Sequence, residues 1–238
     1  MPEPSPAPAS AAAPASALVR VRVWDLPTRL FHWLLVLAVT GSVISAKIGG
    51  NAMAWHFRLG YLVLTLMVFR MLWGLVGGRW ARFVNFIYAP ATVLRYLRGR
   101  ATPQEHLDVG HSPTGAASVF ALLGLLILQL GTGLVADDEI ANQGPLNRFA
   151  SSDTVVSATS WHKSWGQWLI LTLVALHVAA VLFYLLKKHI NLVRPMLNGD
   201  KPLSSDTPAS ADGMPQRVLA VVLLALCAGL ATWVARQG

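Results

Sequence analysis

The chain has 238 residues, of which 54% are apolar and only 13% are charged, and its mean hydropathy is +0.51. A soluble domain carries about 25% charged residues, so this composition excludes an ordinary soluble protein and predicts an integral membrane protein. The formal net charge of +8 comes from short basic clusters between apolar segments, which favours membrane topology over nucleic-acid binding. The single cysteine, Cys227, excludes a disulfide framework and a cysteine-ligated cluster, so any metal centre depends on histidine.

The N-terminal residues 1–17 are rich in proline and alanine. They lack the charged start and apolar core of a signal peptide, so we predict a disordered tail. The next stretch, residues 18–29, is basic and looks extended, and its Pro27 is well placed to open a helix.

Five apolar segments follow, at residues 30–48, 56–76, 116–135, 162–186 and 218–234. The first four are long enough to cross a bilayer, and the last, about 17 residues, is at the lower limit. The predicted fold class is therefore all-α, an integral membrane four-helix bundle with a fifth C-terminal transmembrane helix. We expect a membrane domain at residues 18–201, a linker at 202–216 and the extra helix at 217–238.

Positive charge alternates between the connections. The N-terminal flank, the connection between the second and third segments and the stretch after the fourth are rich in arginine and lysine, whereas the other two connections are poorer. The positive-inside rule then places the N-terminus in the cytoplasm of a bacterial cell, with the protein in the inner membrane. Residues 86–100 predict an amphipathic helix on the cytoplasmic surface, and the polar loop 136–160 predicts an external docking surface.

Four histidines lie in or at the edge of the apolar segments: His32, His56, His162 and His177. The topology puts His32 and His177 toward the cytoplasmic side, and His56 and His162 at the outer side. On a regular helix, the 15 residues between His162 and His177 correspond to a rise of roughly 22 Å and a rotation of roughly 60°. Both imidazoles could then face one bundle interior at two depths.

Two imidazoles at one depth fit the two axial positions of a haem iron, since the macrocycle supplies the other ligands. Zinc would need a third protein ligand, which neither pair offers. Gly60 and Gly166 each lie one turn after a histidine and could make room for a flat ring, although helix packing explains such glycines equally well. A single histidine of this kind could also be an interhelical hydrogen-bonding residue.

Three more residues are candidates for contacts to such a cofactor. Arg70 lies about 21 Å along its helix from His56, where it could pair with a haem propionate or extend to the lipid headgroups. Arg29 is similar but more exposed, and His111 in GHSPTG is interpreted as a helix-entry or propionate-contacting residue.

Together these segments resemble the bacterial cytochrome b561 and nickel–iron hydrogenase cytochrome b-subunit family of four-helix dihaem membrane proteins. The matching motifs are RLFHW, HFRLGYLVLTLMVFRMLWGLVG, GHSPTG, TGL, WHKSW…ALH and NLVRPMLNGDK, which span residues 21–201. The resemblance implies two non-covalent b-type haems ligated by His32, His56, His162 and His177. It also implies electron transfer in a respiratory chain between the quinone pool and a partner redox protein.

The chain departs from the family at two positions. The family usually spaces the two histidines of its fourth helix by 14 residues rather than 15, which a π-bulge or a His162 just before the helix could absorb. His189 stands where the family commonly has an acidic residue. His162 is therefore the least secure of the four ligands.

We expect an electron-transfer subunit that works alone or within an oxidoreductase complex. Its partner would be a hydrogenase-like dehydrogenase or a cytochrome c, with quinone and membrane lipid as its other contacts. The alternative is a non-redox, histidine-containing membrane transporter or anchor subunit. A transporter would need acidic or polar residues at the middle of the membrane, and the apolar segments offer almost none.

Overall fold

The computed structural model describes residues 18–102 and 105–238, so the predicted tail at 1–17 lies outside the described residues. The helices of the described chain are α1 (Leu26–Ile48), α2 (Met53–Val76), α3 (Pro90–Leu97), α4 (Pro113–Val135), α5 (Ser152–Lys163), α6 (Trp165–Leu186), α7 (Val193–Asn198) and α8 (Met214–Ala235). Short 3-10 helices lie at Gly50–Ala52, Arg79–Ala81, Phe83–Asn85 and Asn147–Phe149.

Five helical segments of this described chain are long and apolar enough to cross a membrane. They are Leu26–Ile48, Gly50–Val76, Pro113–Val135, Ser152–Leu186 and Met214–Ala235. The predicted all-α membrane bundle is confirmed, and so is its fifth C-terminal helix. That helix has 22 residues, which is more than its apolar segment alone indicated.

The fourth segment consists of two helices rather than one. α5 ends at Lys163 and α6 begins at Trp165, and the intervening Ser164 has φ −114° and ψ −92°, outside the helical region. His162 thus lies in the last turn of α5, whereas His177 lies in α6. The rotation that a regular helix would impose between these two histidines does not apply here.

The molecule has two ends, which we name by their contents. The sheet end holds β1 (Leu18–Arg22) and β2 (Asp200–Ser204), an antiparallel pair with Leu18 opposite Ser204 and Arg22 opposite Asp200. The loop end holds residues 49–52 and the loop 136–151. The sequence predicted an extended stretch before α1 but not its partner strand after α7.

α2 is the central helix of the bundle. It packs against α1, α4 and α8, and its Trp73, Leu66 and Met67 are fully buried. α8 contributes the small residues Ala220 and Cys227 to the same hydrophobic core. Small side chains let helices approach closely in a membrane, so the fifth helix is an integral part of the packed bundle.

Asp25 joins the start of α1 to the end of α2. Its carboxylate caps α1 by accepting the backbone N–H of Thr28 at 2.8 Å, and it also accepts from the Gly78 N–H at 2.9 Å and the Trp73 indole at 3.2 Å. A Cβ at Gly78 would collide with this carboxylate, so only glycine fits there. Asp25 therefore fixes the relative height of the two helices at the sheet end.

The segment between β2 and α8 is tied to the same end. The buried Asp212 carboxylate accepts from Arg22 Nη1 at 2.9 Å and lies 3.4 Å from Arg217 Nε. Ser210 donates its hydroxyl to the carbonyl of Val23 at 2.7 Å. At its far end α8 reaches the loop end, where Arg148 donates to the side chain of Gln237 at 2.9 Å.

Candidate functional site

His56 and His162 meet at the loop end. His56 lies in the first turn of α2 and His162 in the last turn of α5, and both are half-buried. Their ring centroids are 6.0 Å apart and their planes are inclined by 83°. We call these two residues the loop-end pair.

In both histidines of the loop-end pair, the ring is held by a hydrogen bond between its Nδ1 atom and a backbone carbonyl. His56 Nδ1 lies 2.9 Å from the carbonyl oxygen of Ser42, and His162 Nδ1 lies 2.9 Å from that of Gln129. A carbonyl can only accept, so each Nδ1 carries the proton and each Nε2 keeps a free lone pair. Metal-ligating histidines are usually oriented in this way, by a hydrogen bond from the other ring nitrogen.

Gln129 holds His162 a second time, because its side-chain amide donates to the His162 carbonyl at 2.9 Å. The sequence analysis did not single out Gln129, although a glutamine in the middle of an apolar helix is a signal for an interhelical hydrogen bond. Ser42, which lies 3.0 Å from His56 Nδ1 through its hydroxyl, was also missed.

A cavity of about 120 Å³ adjoins the loop-end pair, and Gly60 and Gly133 lie in its wall. A Cβ built on Gly60 meets nothing within 4 Å, whereas one on Gly133 would lie 2.6 Å from Cε1 of His162. The absence of a side chain at Gly133 therefore leaves the space that the His162 ring occupies. Gly166 instead faces Gln129 and Trp161, so its small size serves the packing of α6.

His32 and His177 both lie toward the sheet end, and we call them the sheet-end pair. His32 lies in the second turn of α1 and His177 in α6, and the two half-buried imidazoles are close enough to interact electrostatically. The structure brings His56 and His162 into contact, and it places His32 and His177 within electrostatic range of each other.

His111 lies beside the sheet-end pair, just before α4. Its ring contacts Phe86 at a centroid distance of 4.4 Å and Trp24 at 4.8 Å. Burial, and to a lesser extent the positive charge of Arg70, lower the pKa of His111 to about 3. This imidazole is therefore neutral at physiological pH.

The sheet end contains several enclosed nitrogen atoms that have no hydrogen-bond partner among the described residues. They are His32 Nδ1, Arg29 Nε, Arg70 Nη1, Arg82 Nε and His111 Nδ1. Arg70 is only 3% exposed and its guanidinium lies 4.6 Å from the centre of the Phe83 ring, so it does not extend to the lipid headgroups. Enclosed cationic donors of this kind fit an anion.

No group of three or more His, Cys, Asp or Glu side chains suited to a bare metal ion occurs within residues 18–102 and 105–238. The four histidines of the apolar helices instead lie as the loop-end pair and the sheet-end pair. This arrangement suits a cofactor that brings its own equatorial ligands.

Comparison with protein families gives a match to the family described as prokaryotic cytochrome b561, over residues 23–199. Among curated proteins, the chain is 27% identical over 226 residues to a probable Ni/Fe-hydrogenase B-type cytochrome subunit of Azotobacter chroococcum mcd 1, covering 79% of this chain and 91% of the relative. It is 25% identical over 211 residues to a probable Ni/Fe-hydrogenase 1 B-type cytochrome subunit of Escherichia coli K12, covering 74% and 88%. No solved structure matches the chain.

Proposed function

Because the chain belongs to the prokaryotic cytochrome b561 family, we propose that its two histidine pairs bind two b-type haems and carry electrons between the quinone pool and a redox partner. The family and its five apolar helices make it a multi-pass bacterial membrane protein. It is a b-type cytochrome that transfers electrons. The number of haems, their ligands and the reaction partners are our proposal.

The observation that carries this proposal is the geometry of the loop-end pair. A metal–imidazole bond is about 2 Å long, so two histidines that would hold one metal between them need rings that are close but not in contact through their nitrogens. The centroids of His56 and His162 are 6.0 Å apart. Their Nδ1 protons are held by carbonyls, which leaves both Nε2 atoms free to ligate. The residues fit a haem with two axial histidines.

At the sheet end, His32 and His177 would supply the axial nitrogens of the second haem. The enclosed and unpaired nitrogens of Arg70, Arg29 and His111 support this assignment, since haem carboxylates would give them partners. An unpaired buried donor costs about 1–3 kcal/mol, so a structure with several of them is suited to a bound anion.

When bound, the two haems would each gain or lose one electron at the iron. The protein's own part is to hold the ligand rings still and to keep water away from them. The carbonyls of Ser42 and Gln129 fix the rings of His56 and His162. Gly133 lies against the His162 ring, so its lack of a side chain leaves room for that ring. Rigid ligands need little rearrangement between oxidation states, which favours fast electron transfer.

We further propose that the sheet end faces the cytoplasm and the loop end faces the outside. The charged residues before α1, between α2 and α4, and after α6 are mostly arginine and lysine, and all of these stretches lie at the sheet end. The positive-inside rule supports this orientation. The haem-binding domain would comprise residues 18–201, with α8 added to it after the linker.

The loop end would then receive the external redox partner. Residues of the loop 136–151, among them Asp137, Asn142 and Pro145, form part of the cavity wall at the loop-end pair. The Asn142 side chain and three backbone N–H groups hold the pKa of Asp138 well below its usual range, so this loop keeps its negative charge. The names of the relatives favour a hydrogenase-like dehydrogenase as the partner, with a cytochrome c as the second candidate.

The proposal is tested by the dithionite-reduced minus air-oxidised spectrum of the purified protein, followed by reduction with a soluble quinol. We expect a b-type α-band equivalent to two haems per chain, and we expect quinol to reduce it. A colourless protein would contradict the haem assignment, and a haem spectrum that quinol cannot reduce would contradict the quinone assignment.

A further inference from the structure

A cluster of hydroxyl groups and one carboxylate lies at the sheet end, where α3, α4 and α6 approach one another. The Tyr96 hydroxyl, on α3, donates to Asp108 Oδ1 at 3.1 Å. Tyr184 of α6 and Ser112, the residue that caps α4, lie close enough to the Tyr96 hydroxyl to influence its pKa. Two tyrosines, a serine and a carboxylate thus lie together in one polar group.

The cluster connects water to the neighbourhood of the sheet-end pair. Asp108 is exposed, so one end is open to solvent. Tyr184 lies seven residues after His177 on the same helix, which is two turns, or about 10 Å, along the same face. Ser112 follows His111, whose imidazole is electrostatically influenced by His32 and His177. The other end is therefore about 10 Å from the proposed haem ligands.

The chemistry of the cluster suits proton transfer. A hydroxyl can donate and accept hydrogen bonds at once, so a chain of hydroxyls can pass a proton along. Burial and the nearby side chain of Tyr184 raise the pKa of Tyr96 above its usual range, so the phenol stays neutral. A neutral phenol keeps the proton it needs to act as an intermediate carrier, and the exposed carboxylate of Asp108 can exchange protons with water.

A quinone is the substrate that needs such a route. Its reduction to quinol adds two electrons to the ring and one proton to each of its two carbonyl oxygens, while two ferrous haem irons become ferric. The exposed apolar side chains of Leu94, Leu97 and Phe183 flank the cluster on α3 and α6. They give a lipid-soluble molecule an apolar surface beside the polar group.

We propose that Asp108, Tyr96, Ser112 and Tyr184 form the route by which protons pass between water and a quinone bound near the sheet-end pair. This inference rests on the proposed function, because the haems supply or receive the electrons. The four residues do not ligate iron. Their role is to move a proton while the haem irons would change charge.

The test compares two reductants in stopped-flow measurements on the haem-loaded protein. Duroquinol must release two protons as it gives up its electrons, whereas dithionite reduces haem without using a protein proton route. We expect Asp108→Asn and Tyr96→Phe to slow haem reduction by duroquinol roughly tenfold or more, and to leave reduction by dithionite unchanged. In infrared redox-difference spectra, a carboxyl band of the wild-type protein should disappear in Asp108→Asn.

A matched control removes a carboxylate at the same end but outside the cluster. Asp206→Asn changes an exposed acid that hydrogen-bonds with Ser204. This variant should match the wild-type protein with either reductant.

The inference is overturned if Asp108→Asn and Tyr96→Phe behave like Asp206→Asn. It is also overturned if they slow both reductants equally, because the cluster would then only tie α3 to α6. A wild-type protein without a haem spectrum would instead contradict the proposed function itself. The two failures are therefore distinguishable.

Discussion

The loop-end and sheet-end pairs differ in what the protein provides around the ligands. At the loop end, both Nδ1 atoms donate to backbone carbonyls, so these nitrogens of His56 and His162 need no further hydrogen-bond partner. At the sheet end, His32 Nδ1 is enclosed without a partner in the described chain. The backbone therefore positions both rings of the loop-end pair, whereas no hydrogen bond within the described chain positions the His32 ring through Nδ1.

The same contrast extends to the surroundings of the two pairs. The loop-end cavity is bounded by glycines and by the acidic loop. Its wall also contains one lysine or arginine side chain among the described residues, that of Lys163. The sheet end holds Arg70, which is almost fully enclosed, and the half-buried Arg29 and Arg82. We therefore expect the sheet-end haem to have its carboxylates held by protein, and its redox potential to respond more strongly to changes in nearby charge.

The largest expected effect comes from removing one ligand. His56→Ala and His162→Ala should each remove the loop-end haem and leave the other in place, because a haem with one axial histidine is held far less firmly. His32→Ala and His177→Ala should remove the sheet-end haem. Haem content and potentiometric titration of the four variants check this, and the pairing is wrong if His32→Ala and His56→Ala deplete the same component.

A smaller effect is expected from filling the space beside His162. In Gly133→Ala the added Cβ would approach the imidazole to 2.6 Å, so the ring must shift and the loop-end haem should bind roughly 10-fold more weakly. Gly124→Ala on the same helix is the matched control, since its Cβ would meet nothing within 4 Å. Haem titration of the two apo proteins measures the difference, and equal affinities would show that Gly133 does not position His162.

The smallest of these effects is a shift of potential without loss of haem. Arg70→Leu removes a positive charge near the sheet-end pair, which should favour the ferric form and lower the midpoint of that haem by about 60 mV, a tenfold change for a one-electron couple. The loop-end haem should shift much less, because it lies near the other end of α2. Arg70→Lys keeps the charge and serves as the control. An unchanged sheet-end potential in Arg70→Leu would exclude the carboxylate contact.

Much of the fold follows from the sequence because membrane helices have a strong signature. The apolar segments and the alternation of basic connections were sufficient to predict five crossings, and Pro27 and Pro90 lie in the first turns of α1 and α3. Strand β2 was not predicted, since Asp200–Ser204 has little β-propensity by itself. It becomes a strand because Gly199, with φ 92°, turns the chain back along β1.

The sequence also predicted which histidines share a depth, since depth in a membrane is fixed by topology, and the pairing of the haem ligands stays a prediction. The interruption at Ser164 was predicted only as one of two alternatives, because the 15-residue spacing could be absorbed by a π-bulge or by a His162 that precedes the helix. The contacts of Gln129 and Gly133 with His162 could not be predicted from the sequence. They depend on which faces of α4 and α5 meet, and that is decided by packing across the bundle rather than along one helix.

Double variants separate pairing by depth from pairing of the histidines in any other way. The haem-to-protein ratio is measured in purified His56→Ala/His162→Ala and in His32→Ala/His56→Ala. The account predicts one haem per chain in the first variant, since a single site is lost, and none in the second, since both sites lose a ligand. One haem in the second variant and none in the first would contradict it.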